Sequence, residues 1–139
     1  MIWTTPWLLA WGGNNCFYRR GRRIHIALTE AALRYRVCTP EIVHGQFDRL
    51  VSATTIPSPR FGGIPDESQP AVPPMHGFWV YDQNIVNAET FAADLHITEP
   101  DEIAIYLRIF GEMAKIAQYG SEARSIILRV QAEWSGDAP

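Results

Sequence analysis

The chain has 139 residues, 47% of them hydrophobic and 19% charged, with a formal net charge of −3. That is enough chain to bury one core without disulfides or metals, too apolar for a disordered segment, and too acidic for a domain whose whole surface grips nucleic acid. Arginines outnumber lysines eleven to one, Lys115 being the lysine, a bias that fits GC-rich coding better than eleven anion sites. Cys16 and Cys38 lack CxxC spacing and follow no secretory signal, so they read as reduced thiols of a cytoplasmic protein.

The first 22 residues form an apolar and then basic N-terminal segment. Trp3, Trp7 and Trp11 recur at a spacing of four and can line one face of a helix from Pro6 to Trp11. The run is too short to span a bilayer, and Gly12, Gly13, Asn14 and Asn15 break it. Arg19, Arg20, Arg22 and Arg23 then fall within five residues beside Phe17 and Tyr18. Such a cluster can hold phosphates, but Gly21 disfavours a recognition helix, and an arginine edge paired with the protein's own acids is the plainer reading.

Arg23 to Tyr35 runs from a strand pattern straight into a helix. Ile24, Ile26 and Leu28 alternate with Arg23, His25 and Ala27, and Thr29 is placed to cap a first turn of Glu30, Ala31 and Ala32. Glu30 therefore stands where a strand ends and a helix begins. It is either an acid suited to the helix dipole or a functional carboxylate. A second helix follows from Thr39-Pro40, with Ile42, Val43, Phe47, Leu50 and Val51 as its buried face.

Residues 56–74 hold six prolines and two glycines, which predicts a loop or an extended segment at a sheet edge, with Phe61 and Ile64 free to fold over a pocket. Phe78 to Tyr81 and Ile85 to Phe91, joined by Asp82-Gln83-Asn84, read as a hairpin with Glu89 pointing inward. Thr98-Glu99-Pro100-Asp101 opens a helix carrying Ile103, Tyr106, Leu107, Phe110, Met113, Ala114 and Ala117 on one face. Gly120 ends it, Ser121 caps the next, and Ala123, Ile126, Ile127, Val130 and Trp134 line that last helix. The two are expected to close as a C-terminal αα-hairpin.

No phosphate loop, HExxH, GxSxG or cysteine–histidine metal cluster occurs, and His25, His44, His76 and His96 follow no ligand spacing. No cofactor and no metal are expected. If Glu30, Glu89 and His76 converge, they can move protons. An aromatic wall of Phe61, Phe78, Trp79, Tyr81, Tyr106 and Phe110 is the expected ligand surface.

The segments LTEAALRYRV, TPEIVHGQFDRLV, HGFWVYDQNIVNAETFAADL, ITEPDEIAIYLRIFGEMAKIA and SEARSIILRV together resemble a known family over residues 23–134. It is the domain of unknown function at the C-terminal end of actinobacterial Xre-like helix-turn-helix regulators, often called Scr-type antitoxin-like. The resemblance implies an α+β fold with a small antiparallel sheet flanked by helices, and a role in sensing or partner binding. Nothing before Arg23 reads as a helix-turn-helix, and the family's strand after the TPEIVHGQFDRLV helix reads as lost to the proline-rich loop.

One domain over residues 1–139 is therefore expected, working as a stand-alone effector that binds a small hydrophobic metabolite or a protein partner, a second copy of the chain included. Membrane is excluded as a partner and nucleic acid disfavoured. The alternative is a small cofactor-independent cyclase or isomerase of specialised metabolism, with Glu30, Glu89 and His76 as its proton-transfer groups.

Overall fold

A computed structural model describes residues 2–3, 23–36, 39–57 and 59–136, the first two by their backbone. The expected helix from Pro6 to Trp11, the cluster Arg19, Arg20 and Arg22, and both cysteines lie outside the described residues.

Two sheets share the work. In the first, β1 (Ile2–Trp3) runs parallel to β2 (His25–Thr29), which leads directly into α1 (Glu30–Arg34). The Thr29 hydroxyl accepts from the Ala32 N–H at 3.3 Å, the expected cap. After α2 (Pro40–Ala53) comes β3 (Arg60–Ile64), parallel to β2 in the register Ile26↔Phe61 and Leu28↔Gly63. A central strand thus lies inside the segment expected to be a loop or an extended sheet edge. Pro57, Pro59 and Pro65 flank it without entering it, so all five strand residues keep the N–H groups that the ladder needs. Phe61 and Ile64 are buried strand residues of this sheet and form no lid.

The second sheet is antiparallel and follows the expected hairpin. It comprises β4 (Trp79–Tyr81), β5 (Ile85–Glu89) and a further strand, β6 (Asp94–Ile97), in that order. Asp82 and Gln83 take positive φ in the connecting turn, which the Asn84 N–H closes on the Tyr81 carbonyl at 2.9 Å. The α+β class stands, but the small antiparallel sheet accompanies a mixed sheet that the sequence pattern did not show, in the order β1-β2-β3 with β7 (Gln118–Tyr119) at its edge.

The helices divide between the faces of that mixed sheet. Ile26, Leu28 and Phe61 pack with α1, α2 and α4 (Gly120–Trp134) around Phe47, Ile127, Val130 and Trp134. Ala27 and Ile64 face the other way, toward α3 (Pro100–Ile116) and the buried Phe78, Val86 and Ala88. β2 is covered on both sides, which is why Ala27 is fully buried rather than solvent-facing.

The expected αα-hairpin is not what forms, because α3 and α4 bury their faces in separate clusters. α3 ends at Ile116, where the Ala117 N–H donates to the Met113 carbonyl. The chain then enters the sheet as β7 (Gln118–Tyr119), antiparallel to β3, and leaves as α4. Gly120 does adopt the left-handed conformation, with φ of +57°, but it opens α4 instead of terminating α3. The expected face of α4 is buried throughout, whereas on α2 Ile42 is 54% exposed and Val43 and Phe47 carry the contact.

Candidate functional site

Two polar or half-open places stand out against this core, and the sequence-predicted site residues divide between them. The first surrounds Glu30, whose side chain is 1% exposed at the start of α1. Its Oε1 accepts from Arg34 at 2.7 Å, one turn along α1, and from Arg129 of α4 at 2.7 and 3.2 Å. Its Oε2 accepts from the Asp66 backbone N–H at 3.1 Å. Arg34 also pairs with Asp66 and holds Glu133 through two hydrogen bonds of 2.8 and 3.0 Å. Burial pushes the Glu30 carboxyl up, but hydrogen bonds from Arg129, the Asp66 N–H and Arg34 together outweigh it and leave the group below the usual carboxylate range. Glu30 is thus a fully satisfied anion that ties α1 to α4 and to the residues after β3. A base poised near neutrality needs the opposite environment.

Close by, Trp134 donates its ring N–H to the Leu33 carbonyl at 3.0 Å, and the Arg36 guanidinium lies 4.8 Å from the centre of its ring. These contacts join the ends of α1 and α4 and add to the same structural knot.

The second place is a cleft of about 560 Å³ on the opposite side of the mixed sheet. Its walls are Ile105, Tyr106, Ile109 and Met113 of α3, Leu95, His96 and Ile97 of β6, and the strap from Val72 to His76. Phe78 and Met113 are buried at its floor, while Val72, Leu95, Ile105 and above all Met75, 86% exposed, stand at its mouth. Phe78 and Tyr106 meet edge-on with ring centres 4.8 Å apart, and His76 lies 5.9 Å from Tyr106 and 6.4 Å from Phe78. His76 donates from Nδ1 to the Gly77 carbonyl at 3.0 Å, a bond that selects the tautomer with its proton on Nδ1. Burial, and then the neighbouring Glu102 carboxylate, raise the Tyr106 hydroxyl above its ordinary pKa, so it stays protonated and able to donate.

Glu30, Glu89 and His76 do not form one site. Glu30 belongs to the α1–α4 network, and Glu89 is exposed at the end of β5 opposite Asp94, not inward as expected. Of the three, His76 alone lines the cleft. Among the expected ligand-binding aromatics, Phe78 and Tyr106 line it. Phe61 lies in the other core cluster, Trp79 packs against that cluster, Tyr81 is half exposed, and Phe110 meets His25 edge-on at 4.9 Å. Among the described residues no group of three or more His, Cys, Asp or Glu is placed to hold a metal ion.

Ile105, Ile109, Leu95 and Val72 were not read from the sequence as site residues. The signal for one of them was present: Ile105 lies outside the stripe that packs the α3 core and is 47% exposed, whereas Ile109, one turn on, packs partly against that core. The Arg34 contact was also legible as an i,i+4 acid–base pair, whereas Arg129 and Glu133 reach Glu30 and Arg34 only through the fold.

The family model described as "Domain of unknown function (DUF5753)" matches residues 14–129, and the chain belongs to that family. Comparison with curated proteins and with solved structures gives no match.

Proposed function

We propose that this protein is an effector-type domain that binds a small hydrophobic molecule in the cleft between α3, β6 and the Val72–His76 strap, in the manner of the ligand-sensing part of an actinobacterial Xre-like regulator. One observation carries the reading: apolar side chains that a closed core would bury stand instead around a cleft of about 560 Å³ with an aromatic floor. That volume lies within the range typical of small-molecule sites, which are mostly apolar with a few placed polar groups. It suits a small molecule better than a protein partner, which would need a far larger continuous surface.

The cyclase or isomerase alternative needs its proton-transfer groups in one place, and only His76 of the three lines the cleft. Nucleic acid is not the proposed ligand either. Among the described residues lining the cleft there is one carboxylate, Glu102, and no arginine or lysine to meet phosphates.

Native mass spectrometry of the protein after incubation with a metabolite extract tests the proposal. A bound molecule should be retained by the unaltered protein and by a Leu128→Glu variant, changed on the exposed side of α4, and lost from Ile105→Glu. Both positions are partly exposed, so neither substitution should cost the fold more than about 0.5 kcal/mol. Equal retention by both variants would move the site elsewhere, and chemical conversion of the molecule would favour the enzyme.

A further inference from the structure

Resting on that reading of the cleft, we infer that its ligand is a hydrophobic amine, with the apolar body on Phe78, Ile105 and Ile109 and a cationic head at Glu102 and His76. Three independent features of the lining point to a donor-rich, positively charged group.

Glu102 is the single fully charged side chain in the lining, and among the described residues it forms no ion pair. It does lie in the first turn of α3, where an acid also answers the helix dipole. That dipole amounts to roughly half a positive charge. Glu99 and Asp101 flank the same helix end, so three carboxylates face half a charge and the end remains negative.

The other polar groups are mostly acceptors. His76 spends its Nδ1 proton on the Gly77 carbonyl, and in the tautomer that this bond selects Nε2 is an acceptor. Pro73 and Pro74 of the strap have carbonyls and no N–H, so this wall offers an anion no backbone donor at either position. A carboxylate or phosphate ligand would meet a like charge at Glu102, with the Tyr106 hydroxyl as a donor and the His96 Nδ1 already bonded to Asn87 Oδ1.

The aromatic floor adds the third feature. Phe78 and Tyr106, ring centres 4.8 Å apart, line the same cleft as Glu102, and a cation near such rings is attracted by their quadrupoles. An exposed carboxylate contributes little by itself, but together with a partly desolvated aromatic surface it is enough to rank ligands of one shape by charge.

Three probes of one shape provide the test: 2-(1-naphthyl)ethylamine, 2-(1-naphthyl)ethanol and 1-naphthylacetate, titrated into the full chain by calorimetry at pH 7. The amine should bind at least about fivefold more tightly than the alcohol and the acetate weakest. Glu102→Gln should remove most of the amine's advantage over the alcohol while leaving the alcohol unchanged. Equal binding of all three, or preference for the acetate, overturns the amine inference and leaves the hydrophobic cleft standing. An amine advantage that Glu102→Gln leaves undiminished also overturns it, because the charge would then be read elsewhere. If none of the probes binds and Ile105→Glu alters nothing, the cleft reading and this inference fall together.

Discussion

At the scale of single residues, a half-buried histidine and a buried glutamate set the response to acid. His25 donates from Nε2 to the Tyr119 hydroxyl at 2.9 Å, since that hydroxyl spends its own proton on the Ala114 carbonyl at 3.0 Å. Burial, with Arg60 nearby, lowers the His25 pKa to about 4 from 6.5. Between those values the unfolded chain binds a proton that the folded chain does not, so stability falls as pH drops through that window. The loss by pH 4 should be about 1–2 kcal/mol, roughly half the full worth of the shift because the ring keeps some contact with water. His25→Gln retains a donor for Tyr119 and removes the titration, so urea denaturation at pH 7, 5 and 4 should show a shallower decline than the unaltered protein. Identical declines would mean that other groups carry it.

Glu30 follows the same sign through a different cause, since here the charged form is the one the fold stabilises. Its carboxyl is held below the ordinary value, so its contribution is present above about 4.5 and is lost as pH falls through the folded value. The arginines around it reach water, with Arg129 53% exposed, whereas Glu30 does not. Removing the arginines should therefore cost more than removing the acid. Replacing both Arg34 and Arg129 by Met strands a buried charge and should cost about 3–5 kcal/mol, and Glu30→Gln less, about 1–3 kcal/mol. The double variant's deficit should shrink toward acid as Glu30 takes up a proton, which chemical denaturation at pH 7 and pH 4 can read. Glu30→Gln should also leave ligand retention in the cleft intact, since Glu30 lies on the other side of the sheet.

At the scale of elements, β3 and β7 decide how the halves of the molecule meet. Gly62 lets the Tyr119 ring lie against the strand: an added Cβ would come within 2.7 Å of Tyr119 Cε1 and 2.9 Å of Ala117 Cβ. Gly62→Ala should destabilise by about 1–3 kcal/mol through overpacking. Gly111→Ala, in the interior of α3 with open space around its Cβ, should instead stabilise by about 0.5–1 kcal/mol. Thermal melts of both variants check the pair, and a neutral Gly62→Ala would show that Tyr119 is free to move. These two strands are also where the sequence was least legible. Amphipathic spacing disclosed the buried face of α4 and the packed side of α3, on which Ile103 and Met113 are buried, but periodicity says nothing about what lies opposite, so two adjacent helices read as a hairpin. Five proline-free residues between Pro59 and Pro65 carry little pattern of their own, and the density of proline around them hid a central strand. The capped strand-to-helix passage at Thr29 was legible because its signals are local.

At the scale of the whole molecule, the mixed sheet separates two tasks. One side, with α1, α2 and α4, is closed by a tryptophan-anchored core and by the Glu30 charge network. The other side leaves a cleft between α3, the antiparallel sheet and the strap. Sequence could name the aromatics but not sort them, because Phe61, Phe78, Tyr81 and Tyr106 look alike until the fold sends them to a core, a floor, a surface and a wall. Binding in the cleft is tested most directly by backbone amide NMR during titration with 2-(1-naphthyl)ethanol, a probe that owes nothing to charge. Shifts concentrated in residues 72–78, 95–97 and 102–113 are the predicted result. Shifts concentrated around Glu30 and Arg129, or spread evenly over the chain, would contradict it.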